Sequence, residues 1–427
     1  MCNLSMGSTG FLILNFLTLR TKSLQTIPRN HGAATMAPQN NFDKEDIYVD
    51  MPAGVNPNEL NMIHATSKQA RSWQAVRTAV TDGPVESNTL IGGTPMIDLS
   101  SLLSLKKDVK IYAKCEYMNP SGSIKDRIAG FILQAAIDSG ELKKGMTVVA
   151  ATSGNTGAAI AMACALRGYD YVVITNEKCS IEKIDSMKAY GGTVLVAKAG
   201  LPADHPESYE NIELAMVSKD PKKYFGVNQY GNQNNSLAYS RTLGPEIYSQ
   251  TKGSITHFVA GSSTGGTLTG TARFLKTMNP EIKAVLADPK GSVLWDNFVN
   301  GVPEDQLKVG KWEIEGVGKD SIPGVLSWDV VDGAQNGDDA SSFYTCREVA
   351  EKCGILIGGS SGLNLHAASV LSGKIEKGLI VTVLPDSGIK YLSKIFNDKW
   401  MDQKGFTGNE KKAEDGEIFW KSSIKKL

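Results

Sequence analysis

Between residues 109 and 384 short apolar runs alternate with longer stretches of helical spacing. Residues 109–114 (VKIYAK), 146–151 (MTVVAA), 170–175 (DYVVIT), 193–197 (TVLVA), 255–260 (ITHFVA), 282–287 (IKAVLA) and 379–384 (LIVTVL) are predicted as buried strands, since β-branched runs bounded by turn residues carry that signature. The segments between them, such as 158–167 and 269–277, have alanine and leucine content at helical spacing. Sustained strand–helix alternation implies an α/β fold with mostly parallel sheets. There are too many strands for one ordinary sheet, so two three-layer α/β domains with a cleft between them are expected. The core spans residues 87–401, with a smaller subdomain at about 125–228 and a larger one from the remainder. Residues 43–86 read as a polar arm, with Pro52 and Pro57, and a docking helix over 61–80. Residues 402–427 read as a short charged tail.

The first 42 residues contain no Asp or Glu but do carry Arg20, Lys22 and Arg29 after the apolar run FLILNFL at 11–17. A secretory signal places its positive charge before the apolar run. This leader therefore reads as a mitochondrial transit peptide, or as an untranslated stretch ahead of Met36 in a cytoplasmic protein. No apolar run is long enough to span a membrane. Lysine plus arginine and aspartate plus glutamate are each 45, a formal net charge of zero. Nucleic acid as a partner demands a basic excess and is not expected. The six cysteines form no C-x-x-C pair and read as buried small hydrophobes in a reducing compartment. The five histidines lack metal-ligand spacing, so no metal is expected.

Candidate chemistry sits in loops that leave strands and enter helices, where parallel α/β sheets bind ligands. Residues 120–127 (PSGSIKDR) precede the helix IAGFILQAAIDSG. Ser123 and Asp126 have capping-box spacing, which places Lys125 in the first helical turn. The helix dipole there disfavours an ammonium, and a depressed lysine pKa is what a Schiff-base nucleophile needs. By itself, a lysine at a helix start is most often a solvated charge. Residues 152–157 (TSGNTG) form either an anion cradle without fixed charge or a glycine turn with an N-cap. Residues 261–267 (GSSTGGT) form a phosphate cradle. That loop lacks the GK[ST] of a Walker loop and the spacing of a dinucleotide fingerprint. In GGSSG, at 358–362, Ser360 either reaches into the cleft or caps a helix. A lysine nucleophile, a phosphate cradle and a separate anion cradle together match pyridoxal 5′-phosphate (PLP) with an amino-acid substrate, which present an aldehyde, a phosphate and a carboxylate.

In this order, the four segments resemble those of fold-type II PLP enzymes, the cysteine synthase and cystathionine β-synthase family, over residues 87–401. The resemblance implies a tryptophan-synthase-β-like fold. It also implies that Lys125 is the Schiff-base lysine and proton shuttle, and that Asn155 bonds the cofactor's 3′ oxygen. Thr152, Ser153 and Thr156 would bind the substrate carboxylate, and Ser263, Thr264, Gly265, Gly266 and Thr267 the phosphate. Ser360 would face the pyridine nitrogen, where a neutral serine makes a weaker electron sink and favours prompt β-elimination. DPKGS at 288–292, LPDS at 384–387 and FNDKWM at 396–401 resemble the cystathionine β-synthase branch. Gln229 and Tyr230 match the family's active-site Gln–aromatic pair, and Tyr239 stands where cysteine synthases usually have histidine.

The resemblance implies β-replacement on serine or an activated serine by a thiol. Homocysteine would yield cystathionine; sulfide would yield cysteine. A serine dehydratase and a non-catalytic relative that binds a partner's C-terminal peptide are the rivals, and the intact Lys125 and phosphate loop speak against the second. A homodimer is expected. Lys319, in EGVGKD, occupies a position where cystathionine enzymes usually carry tyrosine, near the second-substrate mouth. It either attracts an anionic second substrate or is a solvated surface lysine. No cysteine lies between Met36 and Ser87, so no haem is expected. The chain ends at Leu427, so a regulatory domain pair and its activation by S-adenosylmethionine are not expected.

Overall fold

The computed structural model describes residues 90–101, 108–152, 154–177, 179–198, 201, 205–409 and 416–423, all within one compact unit, Ala53–Leu427. The expected leader, arm and docking helix, and Ser153, lie outside the described residues. All seven predicted strands form, with ends moved by two residues at most. They are β2 (Val109–Lys114), β3 (Thr147–Ala151), β4 (Asp170–Asn176), β5 (Thr193–Ala197), β7 (His257–Gly261), β8 (Lys283–Pro289) and β10 (Gly378–Val383). Four further short strands join them: β1 (Met96–Asp98), β6 (Tyr224–Gly226), β9 (Gly333–Gly337) and β11 (Phe419–Trp420).

The strands build two sheets. The smaller runs β5-β4-β3-β6, parallel throughout. The larger runs β1-β2-β10-β7-β8-β9-β11. Its five inner strands are parallel, and β1 and β11 are antiparallel edges. The reading of everything after Met401 as a charged tail is corrected here, because Phe419 and Trp420 pair with Ala334 and Gly333. Gly333 permits it: a Cβ there would lie 2.9 Å from the Trp420 ring.

The central strands β7, β8 and β10 are largely apolar on both faces, because helices cover both sides of the sheet. On β7, Phe258 and Ala260 join one core with Leu286 and Val381, while Val259 joins the other with Ile111, Val285 and Ile380. The helix α1 (Lys125–Ser139) stops at Gly140 and α2 (Asn155–Arg167) at Gly168, both glycines in the left-handed conformation that ends helices. Every residue of α2 from Thr156 to Cys164 is buried. Its run of alanines lets it lie close to both α1 and the small sheet. Among the described residues no helix is long and apolar enough to cross a membrane. The described cysteines are free, and Cys115, Cys164, Cys179 and Cys346 are buried.

Candidate active site

The 152–157 and 261–267 loops leave the C-terminal ends of β3 and β7, and the 120–127 loop, which follows β2, lies against the end of β10. Lys125 is the first residue of α1. The chain entering it is fixed to the end of β10 by a bridge between Ser123 and Asp386 and by the Ile124 N–H donating to the Pro385 carbonyl at 2.8 Å. The expected Ser123–Asp126 capping box does not form. Ser123 is drawn into the bridge, where its hydroxyl accepts the Lys125 N–H at 3.3 Å. Asp126 instead accepts the Ser121 N–H at 2.7 Å and the Ser121 hydroxyl, which closes the turn before the helix. Lys125 is half-buried. Burial lowers its ammonium pKa to about 8, against opposition from the Asp386 carboxylate. The expectation of a depressed lysine at a helix start therefore holds, with desolvation as its main cause.

Two residues on, Arg127 anchors the same turn. Its guanidinium reaches Glu116 at 2.6 Å and Glu246 at 2.8 Å, and Lys114 reaches Glu246 at 2.6 Å. Glu116 and Arg127 side chains are fully buried, so the four charges are a neutral cluster that fixes the rotation and depth of the α1 start.

The glycine-rich loop after β7 leads into α7 (Gly266–Met278). Between α2 and α7 in the chain come α3 (Ile181–Ala189), α4 (Tyr209–Lys219), α5 (Asn234–Arg241) and α6 (Leu243–Gln250). Gly265 has φ +87°, and a Cβ there would lie 2.6 Å from the Leu326 backbone; one on Gly266 would lie 1.9 Å from Asn235 Oδ1. The loop turns sharply and points the first-turn N–H groups of α7, which have no intrahelical acceptor, at the cleft. Lys125, Ser263, Thr264, Gly265 and Thr267 line one pocket. Gly266 lies behind it, against Asn235. Tyr239 is wholly buried, with Thr267 as a neighbour of its hydroxyl.

Ser360 is buried near the start of a long helix, Gly359–Lys374. One turn later, Asn364 accepts the Gly261 N–H at 2.6 Å and donates to the Val383 carbonyl at 2.9 Å. It ties the ends of β7 and β10 together, and it lines the pocket. Sequence reasoning passed over Asn364, although its place four residues after Ser360 puts both on one helix face.

On the small sheet, the Thr152 hydroxyl accepts the Gly154 N–H at 3.1 Å, which leaves its own proton free. The Thr156 hydroxyl donates to Gln229 Oε1 at 2.7 Å, and Gln229 Nε2 donates to the Ala151 carbonyl at 2.7 Å. Asn155 opens α2 and faces the large sheet. Its Nδ2 donates to Asp386 at 2.7 Å, and its Oδ1 accepts Lys390 Nζ at 3.0 Å. Asp386 also accepts the Tyr391 hydroxyl at 2.6 Å. Lys183 of α3 completes this brace, reaching Glu315 at 2.7 Å and Tyr391 at 2.9 Å. Neither Asp386 nor Lys183 has a role legible in the sequence, since Asp386 meets Asn155 and Lys183 meets Glu315 and Tyr391 across more than a hundred residues of chain.

At the other end, the Tyr230 hydroxyl lies 3.3 Å from that of Tyr209. Lys319 sits 4.3 Å over the Tyr230 ring and pairs with Glu210 and Asp320, each at 3.1 Å. Burial works against its charge, but Tyr230, Glu210 and Asp320 outweigh burial and hold its pKa above the ordinary lysine value. It is 7% exposed, which excludes a freely solvated surface lysine.

These residues fit PLP. A lysine of lowered pKa shares a pocket with a helix N-terminus and a loop where any Cβ on Gly265 would fill the turn. Among the described residues, the buried Ser262 hydroxyl in that loop has no hydrogen-bond partner. A model of pyridoxal-phosphate dependent enzymes matches residues 88–386. The chain is 38% identical over 341 residues to a cystathionine β-synthase of Apis mellifera, across 79% of this chain and 66% of that protein. It spans 56% of the Mus musculus cystathionine β-synthase. It is 36% identical to an O-acetylserine dependent cystathionine β-synthase of Bacillus subtilis, across 71% of this chain and 95% of that protein. Among solved structures, the O-acetylserine dependent cystathionine β-synthase of Helicobacter pylori superposes with TM-score 0.66 at 32% identity, across 73% of this chain and 98% of that one. The O-acetyl serine sulfhydrylase isoform 3 of Entamoeba histolytica gives 0.67 at 30%, across 76% and 96%. The loops, the lysine and these likenesses agree: the chain belongs to the family of pyridoxal-phosphate dependent enzymes, on the fold-type II scaffold shared by cysteine synthases and cystathionine β-synthases.

Proposed function

We propose that this chain catalyses β-replacement on L-serine or an activated serine, with homocysteine as the leading thiol and sulfide as the second. The observation that carries the reading is the single pocket shared by Lys125 and the phosphate loop, beside a carboxylate cradle braced by Gln229. PLP, when bound, supplies an aldehyde for Lys125 and an electron sink for the substrate's α-carbon. Lys125, with a pKa of about 8, is suited to take and return the α-proton near neutral pH. The N-terminus of α7, with Ser263, Thr264 and Thr267, would hold the phosphate. Asn155, oriented by Asp386 and Lys390, would face the cofactor ring, as would Ser360. Thr152 has a free hydroxyl proton for the substrate carboxylate. The Thr156 proton is committed to Gln229, so that residue would contribute its N–H at the start of α2. Ser153 belongs to the same proposed cradle. Gln229, Tyr230 and Lys319 would frame the approach of the thiol.

The chain's 35% identity across 93% of a Neurospora crassa cysteine synthase keeps sulfide as the second thiol, beside an equally full span of the Bacillus subtilis O-acetylserine dependent cystathionine β-synthase. PLP alone, without haem, is the proposed cofactor, a homodimer the proposed assembly, and cytoplasm or mitochondrion the proposed location. Steady-state product analysis with serine or O-acetylserine against homocysteine or sulfide tests the reading. Cystathionine or cysteine as main product supports it. Pyruvate as main product with thiol present, or no turnover by a PLP-loaded protein, overturns it.

A further inference from the structure

Glu213 is the one buried residue of α4, at 5% exposure. A buried carboxylate is costly unless charge or hydrogen bonds compensate it. Among the described residues no cation pairs with Glu213; burial raises its pKa to about 7, and Glu210, one turn back on the same helix, raises it further. Its compensation comes from backbone. Oε2 accepts the Ala151 N–H at 2.8 Å, and Oε1 accepts the Asn228 N–H at 2.8 Å. Both donors stand where the sheet runs out, since the β3–β6 ladder ends at the Val149–Gly226 pair. Gly226 leaves the space: a Cβ there would lie 3.3 Å from Oε1 and 3.0 Å from Val217.

The two pinned residues lead into the cradle. Ala151 precedes Thr152, and its carbonyl receives Gln229 Nε2. Asn228 precedes Gln229 and has φ +45°, a left-handed conformation that asparagine tolerates better than other non-glycine residues. One carboxylate thus grips Ala151, at one end of the Ala151–Gln229–Thr156 chain of hydrogen bonds, and Asn228, which precedes its middle member Gln229. We infer that Glu213 is a positioning residue, which sets the shape of the substrate-carboxylate cradle by clamping the ends of β3 and β6. This rests on the proposed β-replacement only in naming the cradle's occupant as an amino-acid carboxylate.

Glu213→Gln keeps the size but offers one acceptor for two donors. It should raise KM for the amino-acid substrate about tenfold, the scale of one lost charge-assisted hydrogen bond. kcat and KM for the thiol should stay within about twofold. In the protein without cofactor, amide exchange at Ala151 and Asn228 should accelerate in the variant. An unchanged KM for the amino acid, or a fall in kcat with KM unmoved, overturns the inference, as does exchange equal to the parent's. If the variant does not fold, the parent decides. Protection of the amide of Asn228, itself exposed, supports the clamp, and exchange at the rate of an unbonded amide overturns it. A parent that performs no β-replacement sinks the functional reading alone, because the exchange measurement needs no turnover.

Discussion

The rate at which cofactor-free protein captures PLP tests the electrostatics of Lys125 directly. Only the neutral amine attacks an aldehyde. Burial sets the lysine pKa at about 8, with Asp386 opposing the shift. At pH 7 such a lysine is roughly 9% neutral, whereas an ordinary one is roughly 0.04% neutral. The depressed pKa is thus worth about two orders of magnitude in reactive amine at neutral pH. The rate of imine formation, followed by visible absorption after rapid mixing, should rise about tenfold from pH 7 and level off above about pH 9. Asp386→Asn removes the charge that favours the ammonium, so the midpoint should move to lower pH. Between pH 8 and the ordinary lysine value, the unfolded chain holds a proton that the folded one has released, so the stability of the cofactor-free protein should rise with pH there. A midpoint near that of a free lysine, or an upward shift in Asp386→Asn, refutes the reasoning.

Lys125→Ala should leave the fold largely intact and abolish the borohydride-reducible imine; a normal, trappable imine in the variant would remove Lys125 from its role. Glu116→Gln leaves two cations against Glu246 in the buried cluster beneath α1. It should cost roughly 3–5 kcal/mol in urea unfolding, and a loss below about 1 kcal/mol would mean that solvent reaches the cluster. Lys319→Ala leaves Glu210 and Asp320 without their shared ammonium beside Tyr230. It should raise KM for an anionic thiol a few-fold, more at low salt than at high; equal KM values at every salt concentration would place Lys319 outside the thiol's path.

Seven of the strands and the strand–loop–helix junctions could be read from the chain because their causes are local. β-branched runs suit a sheet buried on both faces, and Gly, Ser and Thr between strand and helix make an anion cradle wherever that junction occurs. The lysine of 120–127 was legible for the same reason. The other four strands could not be read this way. GAQNG at β9 and YFG at β6 have no apolar period, and they are strands because β8 and β3 offer edges to pair with. The capping of α1 escaped local reasoning as well, since the chain's distant Asp386 captures Ser123 and leaves Asp126 to bind Ser121. Only the tertiary structure decided what holds the site in shape. Asn155 meets Asp386 across 231 residues of chain and Lys183 meets Glu315 across 132. Glu213 is an ordinary helix glutamate until the ends of β3 and β6 present it with two unpaired N–H groups. Such partnerships arise from desolvation and from donors stranded where a ladder stops, and neither quantity is defined before the chain is folded.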